Sequence, residues 1–261
     1  MDYQQQPQGG QIQPHAQAMP QAYAPQGGGG TQFDVSHGPS FAMLRVAPQP
    51  GQTIIAQAGA MVARNHSVNM EVKMNAGLNP GFLGKLKAIM IAFIRKFIGG
   101  ETFFVNHFST QQGGSVWLSP TMAGPVTHRY LNGERITLST GAFLASSGNV
   151  DMRVKFGGLR AIFAREGAFF LECFGTGDLW FTSYGGIEAI DVNGSYIVDN
   201  GHLVGFEGNL TFKIRTAGGG AMGFLASGEG LVCEFQGQGR IYIQSRNVNS
   251  LVSWLTPMMP G

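Results

Sequence analysis

The chain has 261 residues, of which only 12% are charged and 40 are glycine, a charged fraction about half that of a typical soluble domain. A net charge of +2 and two cysteines give no general basis for nucleic-acid binding, a disulfide scaffold or a four-cysteine zinc site. No apolar stretch approaches the ~18 residues a spanning helix needs. In chain order, residues 1–32 form a Gln/Pro/Gly-rich segment with too little apolar surface to offset ordering entropy, so a disordered tail is expected there. The first basic residue is Arg45. That spacing matches neither a signal peptide nor a transit peptide and makes a cytoplasmic location the expectation.

Residues 33–251 read as one all-β domain, followed by a C-terminal tail at 252–261. Val150, Met152, Val154 and Phe156 alternate with Asp151, Arg153 and Lys155, and Leu210, Phe212 and Ile214 alternate with Thr211, Lys213 and Arg215. This period-2 pattern predicts half-buried strands. Asn132-Gly133, Asn193-Gly194 and Asn200-Gly201 suit the positive φ of tight hairpin turns and are expected to form them. Gly175-Thr-Gly177 and Gly237-Gln-Gly239 are also expected to be hairpin turns, not phosphate loops.

The chain repeats itself. Gly59 to Lys73 aligns without gaps on Gly141 to Lys155, with seven of fifteen positions identical. Gly208 to Arg215 supplies a third copy of the second half. Gly175 to Ser183 similarly matches Gly237 to Ser245. Three β units, at about 51–120, 133–184 and 195–246, suggest a barrel or prism with pseudo-threefold symmetry.

The offset between units 1 and 2 falls from 82 to 63 residues, which puts a 19-residue insertion between Lys73 and Phe103. Residues 81–98 of it carry the clearest helix signal in the chain. Phe82, Leu83, Leu86, Ile89, Met90, Phe93, Ile94 and Phe97 fall within one ~140° arc. Lys85, Lys87, Arg95 and Lys96 lie on the flanks and back of that arc, with no acidic residue among them. A helix lying in an anionic membrane surface has this pattern. A helix plugging the β core or packing on its copies in an oligomer has it too.

Trp117, Trp180 and Tyr242 fall at one place in the three units. They are candidates for a ligand-stacking platform for a sugar or other small molecule, or for a buried layer or subunit contact. No nucleophile elbow or metal-ligand spacing occurs among the six histidines. His66 and His202 are expected at strand ends, and Cys173 and Cys233 as small core residues. Glu166, Glu172, Glu229 and Glu234 recur with the repeat and make a poor glycosidase pair. The expectation is a non-enzyme with no cofactor and no metal.

Ser40-Phe-Ala-Met-Leu-Arg-Val, Pro50-Gly-Gln-Thr-Ile-Ile-Ala-Gln-Ala-Gly-Ala-Met-Val, Gly99-Gly-Glu-Thr-Phe-Phe-Val-Asn and Gly237-Gln-Gly-Arg-Ile-Tyr-Ile-Gln-Ser resemble the altered inheritance of mitochondria 24 family, over roughly Phe33 to Leu251. The resemblance implies bent β-ribbons of the double-stranded β-helix or attenuator-protein kind, and a homo-oligomer, with a trimer expected. Its eukaryotic members are associated with mitochondrial inner-membrane organisation, and it supplies no catalytic residues. Without a presequence, this chain is expected to be a prokaryotic-type member. The combined expectation is a homo-oligomeric scaffold at or near the inner face of the membrane, with helix 81–98 making the lipid or assembly contact. The alternative is a soluble small-molecule or carbohydrate-binding module that uses the three aromatics.

Overall fold

The structure is a computed structural model that describes residues 30–74, 104–156, 169–217 and 231–259. The segment expected to form the insertion helix, 81–98, lies outside the described residues, as do most of the N-terminal tail, Glu166 and Glu229.

Fourteen strands and one short helix make up the described chain. A four-stranded sheet has the order β1-β2-β7-β4: β1 (Gln32–Ser36), β2 (Met43–Ala47), β7 (Val116–Leu118) and β4 (Met61–Arg64). The remaining strands are β3 (Thr53–Gln57), β5 (Val68–Met74), β6 (Phe104–Thr110), β8 (Val126–Ser139), β9 (Phe143–Ser147), β10 (Val150–Phe156), β11 (Phe169–Thr182), β12 (Ile187–Asp199), β13 (Leu203–Thr216) and β14 (Leu231–Gln244). They form a ten-stranded sheet of order β12-β14-β13-β8-β11-β9-β3-β6-β5, with β10 also on β11. All pairings are antiparallel. The expected barrel does not form. Among the described residues β12 and β5 are paired on one side only, so the sheet stays open. Helix α1 (Val248–Leu255) follows β14.

The alternation holds where one face meets the core. Val150 and Met152 are buried and Val154 is half-buried, while Asp151, Arg153 and Lys155 are exposed. Two Asn-Gly steps depart from expectation. Asn132-Gly133 lies inside β8 and Asn193-Gly194 inside β12, and only Asn200-Gly201 forms a connection, the 3-10 turn Asn200–His202. A positive-φ glycine serves a mid-strand bend as well as it serves a hairpin. The same correction applies to Gly175-Thr-Gly177 and Gly237-Gln-Gly239, which sit within β11 and β14. At Gly175 (φ +117°) a side chain would run into the carbonyl of Asn149, and at Gly237 (φ +127°) into that of Asn209. The long strands bend where another backbone crosses close to them.

Three clusters of buried side chains result. One gathers Leu171, Cys173, Leu179, Phe181 and Tyr242 with Ile136 and Leu138. A second joins the two sheets through Leu44, Val116, Leu118, Phe108 and Trp180. The third holds Phe170, Phe206, Cys233, Phe235 and Ile241. Strand β11 contributes to all three. Cys173 and Cys233 are free and buried, and burial pushes each thiol up to about 12. As expected, His66 lies in the turn before β5 and His202 in the turn before β13.

Candidate functional site

The three repeat-equivalent aromatics do not form a platform. Trp117 is half-buried in the four-stranded sheet, opposite Arg45, whose guanidinium lies 5.3 Å from its ring. Trp180 is fully buried and Tyr242 is 8% exposed. Alternation along β11 does separate Trp180 from Leu179 and Phe181, but both faces of this segment are covered. Leu179 and Phe181 enter one core and Trp180 another. Tyr242 is likewise separated from Ile241, which faces a different cluster. Neither Trp180 nor Tyr242 can reach a ligand or a neighbouring subunit without opening a core.

What the structure places at these two residues is a pair of polar networks. Phe33 meets Trp180 edge-on at 5.2 Å and lies 4.5 Å from the His128 ring, which is itself 5.6 Å from Trp180. His128 Nε2 is 2.9 Å from Asp178 Oδ1, and both side chains are more than nine-tenths buried. A carboxylate only accepts, so Nε2 is the donor. The backbone N–H of Thr31 donates to Asp178 Oδ2 at 2.7 Å, and the Asp178 N–H donates to Ser147 Oγ at 3.0 Å. Burial alone would raise the Asp178 carboxyl, but hydrogen bonds from His128 and Thr31, with the charge of His128, hold it below its ordinary value. The pair clamps the start of β1 onto β11. Ser147 receives its hydrogen bond from a backbone amide, so the group is not arranged as a nucleophile with its base.

The second network lies where β8, β13 and β14 meet. Tyr242 Oη donates to Glu207 Oε1 at 2.8 Å, and Arg129 Nε donates to Glu207 Oε2 at 3.1 Å. Burial first, and then the Glu207 charge, push the Tyr242 phenol well above its usual range. Across the neighbouring ladder Arg240 Nε donates to Asp191 Oδ1 at 2.7 Å. Glu172 and Glu234 are each paired with a cation, Lys155 at 2.5 Å and Arg215 at 2.7 Å. These carboxylates neutralise neighbours on the same sheet. Among the described residues, no group of three or more His, Cys, Asp or Glu side chains could hold a metal ion.

The remaining site residues, Phe82, Lys85, Leu86, Lys87, Ile89, Met90, Phe93, Ile94, Arg95, Lys96 and Phe97, lie outside the described residues. Their place in the topology is defined all the same: positions 75–103 connect β5, an edge strand, to β6. The other two long hairpins, β10–β11 and β13–β14, are joined by residues 157–168 and 217–230, less than half as many in each case.

One feature was missed from sequence. Helix α1 spans the expected boundary between domain and tail at 251/252, and is capped by Asn247, whose Oδ1 accepts from Asn249 N–H at 2.8 Å and Ser250 N–H at 3.4 Å. An Asn cap followed by Val248, Leu251, Val252 and Leu255 is the signal that could have found it. No described helix is long and apolar enough to cross a membrane.

Comparison with known proteins agrees with this architecture. The chain is 29% identical over 232 residues to an uncharacterised protein of Streptococcus pyogenes serotype M6, covering 88% of this chain and 91% of that one. The crystal structure of a Streptococcus pyogenes protein superposes with a TM-score of 0.71 at 26% identity, covering 88% of this chain and 100% of that one. The family model described as "Mitochondrial biogenesis AIM24" matches residues 33–246, and the chain belongs to that family.

Proposed function

We propose that the chain is a non-enzymatic β scaffold that assembles with copies of itself and meets an anionic membrane surface, at its cytoplasmic face, through the basic amphipathic segment 81–98. The observation that carries this reading is the position of that segment. The one insertion in the repeat falls in the connection that leaves edge strand β5, whose residues Glu71, Val72 and Lys73 are exposed. An apolar arc flanked by Lys85, Lys87, Arg95 and Lys96 fits lipid phosphates around a buried face.

The three-unit arrangement supports a scaffold. Val150 pairs with Gly175 and Leu210 with Gly237, so two of the hairpins share one register at their bends. Hairpin β5–β6 is the third unit, and beyond it residues 111–115 interrupt the strand that continues unbroken in β11 and β14. A prism of three bent ribbons with pseudo-threefold symmetry is the form we propose. Among the described residues the outer edges of β5 and β12 are unpaired, which leaves a row of backbone donors and acceptors for a second copy, and a trimer is the assembly expected.

Co-sedimentation with anionic and with neutral vesicles tests the membrane part, using the intact chain, a chain lacking 81–98 and the variant F93S/R95E/K96E/F97S. The expected result is that anionic vesicles carry down more of the intact chain than neutral ones, and that this salt-sensitive excess is lost in both altered chains with unchanged melting. A folded intact chain that stays in the supernatant with both vesicles overturns it. Light scattering at micromolar concentration tests assembly, and a monomer there refutes it.

A further inference from the structure

We infer that the end of the molecule carrying helix α1 is a second lipid-contact surface, one that inserts apolar side chains into an uncharged bilayer interface without electrostatic attraction. The inference does not depend on segment 81–98.

The helix itself is the first observation. No residue of α1 is buried. Val248 is 40% exposed, Val252 51%, Trp254 62% and Leu255 37%, and just past the helix Met258 and Met259 are 62% and 60% exposed. At about 100° per residue, Val248, Leu251, Val252 and Leu255 share one side, Asn249, Ser250 and Ser253 share the other, and Trp254 sits at the border. That border is where an indole rests at a membrane interface, its ring among acyl chains and its N–H among headgroups. Leu251 alone on that side is half-buried, and an eight-residue helix that buries so little of its apolar face is marginal in water, since short helices depend on burying an amphipathic face.

The second observation is the surface around it. Backbone hydrogen bonds stitch three loops together beside the helix: Ala42 N–H to Gly124, Gly185 N–H to Ala123 and Arg246 N–H to Tyr184. On the first of these loops Phe41 is 75% exposed. Residues 37–42, 120–125, 183–186 and 247–259 contain no Asp, Glu, Lys or Arg, and the nearest such side chain in sequence to the helix is Arg246. In a chain whose β10, β12 and β13 present charges on their exposed faces, this end presents Phe41, Val252, Trp254 and Leu255.

Area decides against a second copy as the occupant. Eight residues make a helix about 12 Å long, and even with Phe41 added the face offers a few hundred Å², well short of the ~800 Å² per partner of a stable interface. A bilayer sets no such threshold, because each side chain contributes its own transfer.

Tryptophan emission reads the proposal directly in the full chain. Trp180 is fully buried and Trp117 half-buried, so Trp254 is the exposed indole. Adding phosphatidylcholine vesicles should shift the emission to shorter wavelength, and brominated acyl chains should quench it. Both effects should persist at raised salt and vanish in W254F. V252S/L255S should weaken partitioning by about tenfold or more. If Trp254 stays unshifted, the inference fails even where the chain binds anionic vesicles, and the reading of segment 81–98 then stands alone. A blue shift that grows with protein concentration in the absence of lipid assigns the helix to a second copy and overturns the inference.

Discussion

The two ends of the described domain are built on opposite terms. At the N-terminal end Thr31 is 4% exposed, its amide is held by Asp178, and Phe33 packs on His128 and Trp180. At the C-terminal end α1 buries no residue, although a side-chain cap starts it. One terminus is fastened by a buried histidine–carboxylate hydrogen bond and an aromatic stack; the other is an ordered element whose apolar face is mostly uncovered. The comparison separates what this fold needs for stability from what it presents to its surroundings.

The largest expected effect comes from breaking the fastened end at its centre. Trp180→Ala removes a fully buried indole shared with Phe33 and His128, and should cost ~3–5 kcal/mol in chemical denaturation. Asp178→Asn keeps the shape but removes the charge that His128 and Thr31 address, with an expected loss of ~1–3 kcal/mol.

The same residue gives the comparison a pH signature. Because the folded-state pKa of Asp178 lies below its unfolded value, its contribution is present above the ordinary aspartate pKa. That contribution declines as pH falls through the folded value. Denaturation midpoints measured downward from neutral pH should therefore fall more steeply for the parent than for Asp178→Asn. Equal slopes would remove Asp178 from the account of acid stability. At the other end, V252S/L255S should change the unfolding free energy by no more than ~0.5 kcal/mol, as expected for surface positions. A larger loss would show that α1 packs on the domain after all.

Much of the β architecture was legible because amphipathic strands write their burial with period 2. Val150, Met152 and Val154 follow that rule. β11 shows where it stops. Between Leu179 and Thr182 both faces are buried, so alternation still places Trp180 opposite Leu179 but no longer says which side is wet. The unbroken apolar run was the better guide. Two of the three Asn-Gly steps fall inside strands because a dipeptide reports a backbone preference, and a preference for positive φ is met equally by a turn and by a bend. The Thr31–Asp178 clamp joins residues 147 apart, and no local pattern encodes such a pairing. Helix α1 leaves only a faint trace in the sequence, because eight residues give barely two turns of periodicity.

Strand β11 places Phe170 in one core, Leu171, Cys173, Leu179 and Phe181 in the next and Trp180 in the third. Three clusters threaded by one backbone cannot open separately without tearing a ladder they hold in common. The unit of cooperativity is therefore the whole set of strands, and the slowest amides to exchange with solvent belong on β11, opening only with the molecule as a whole.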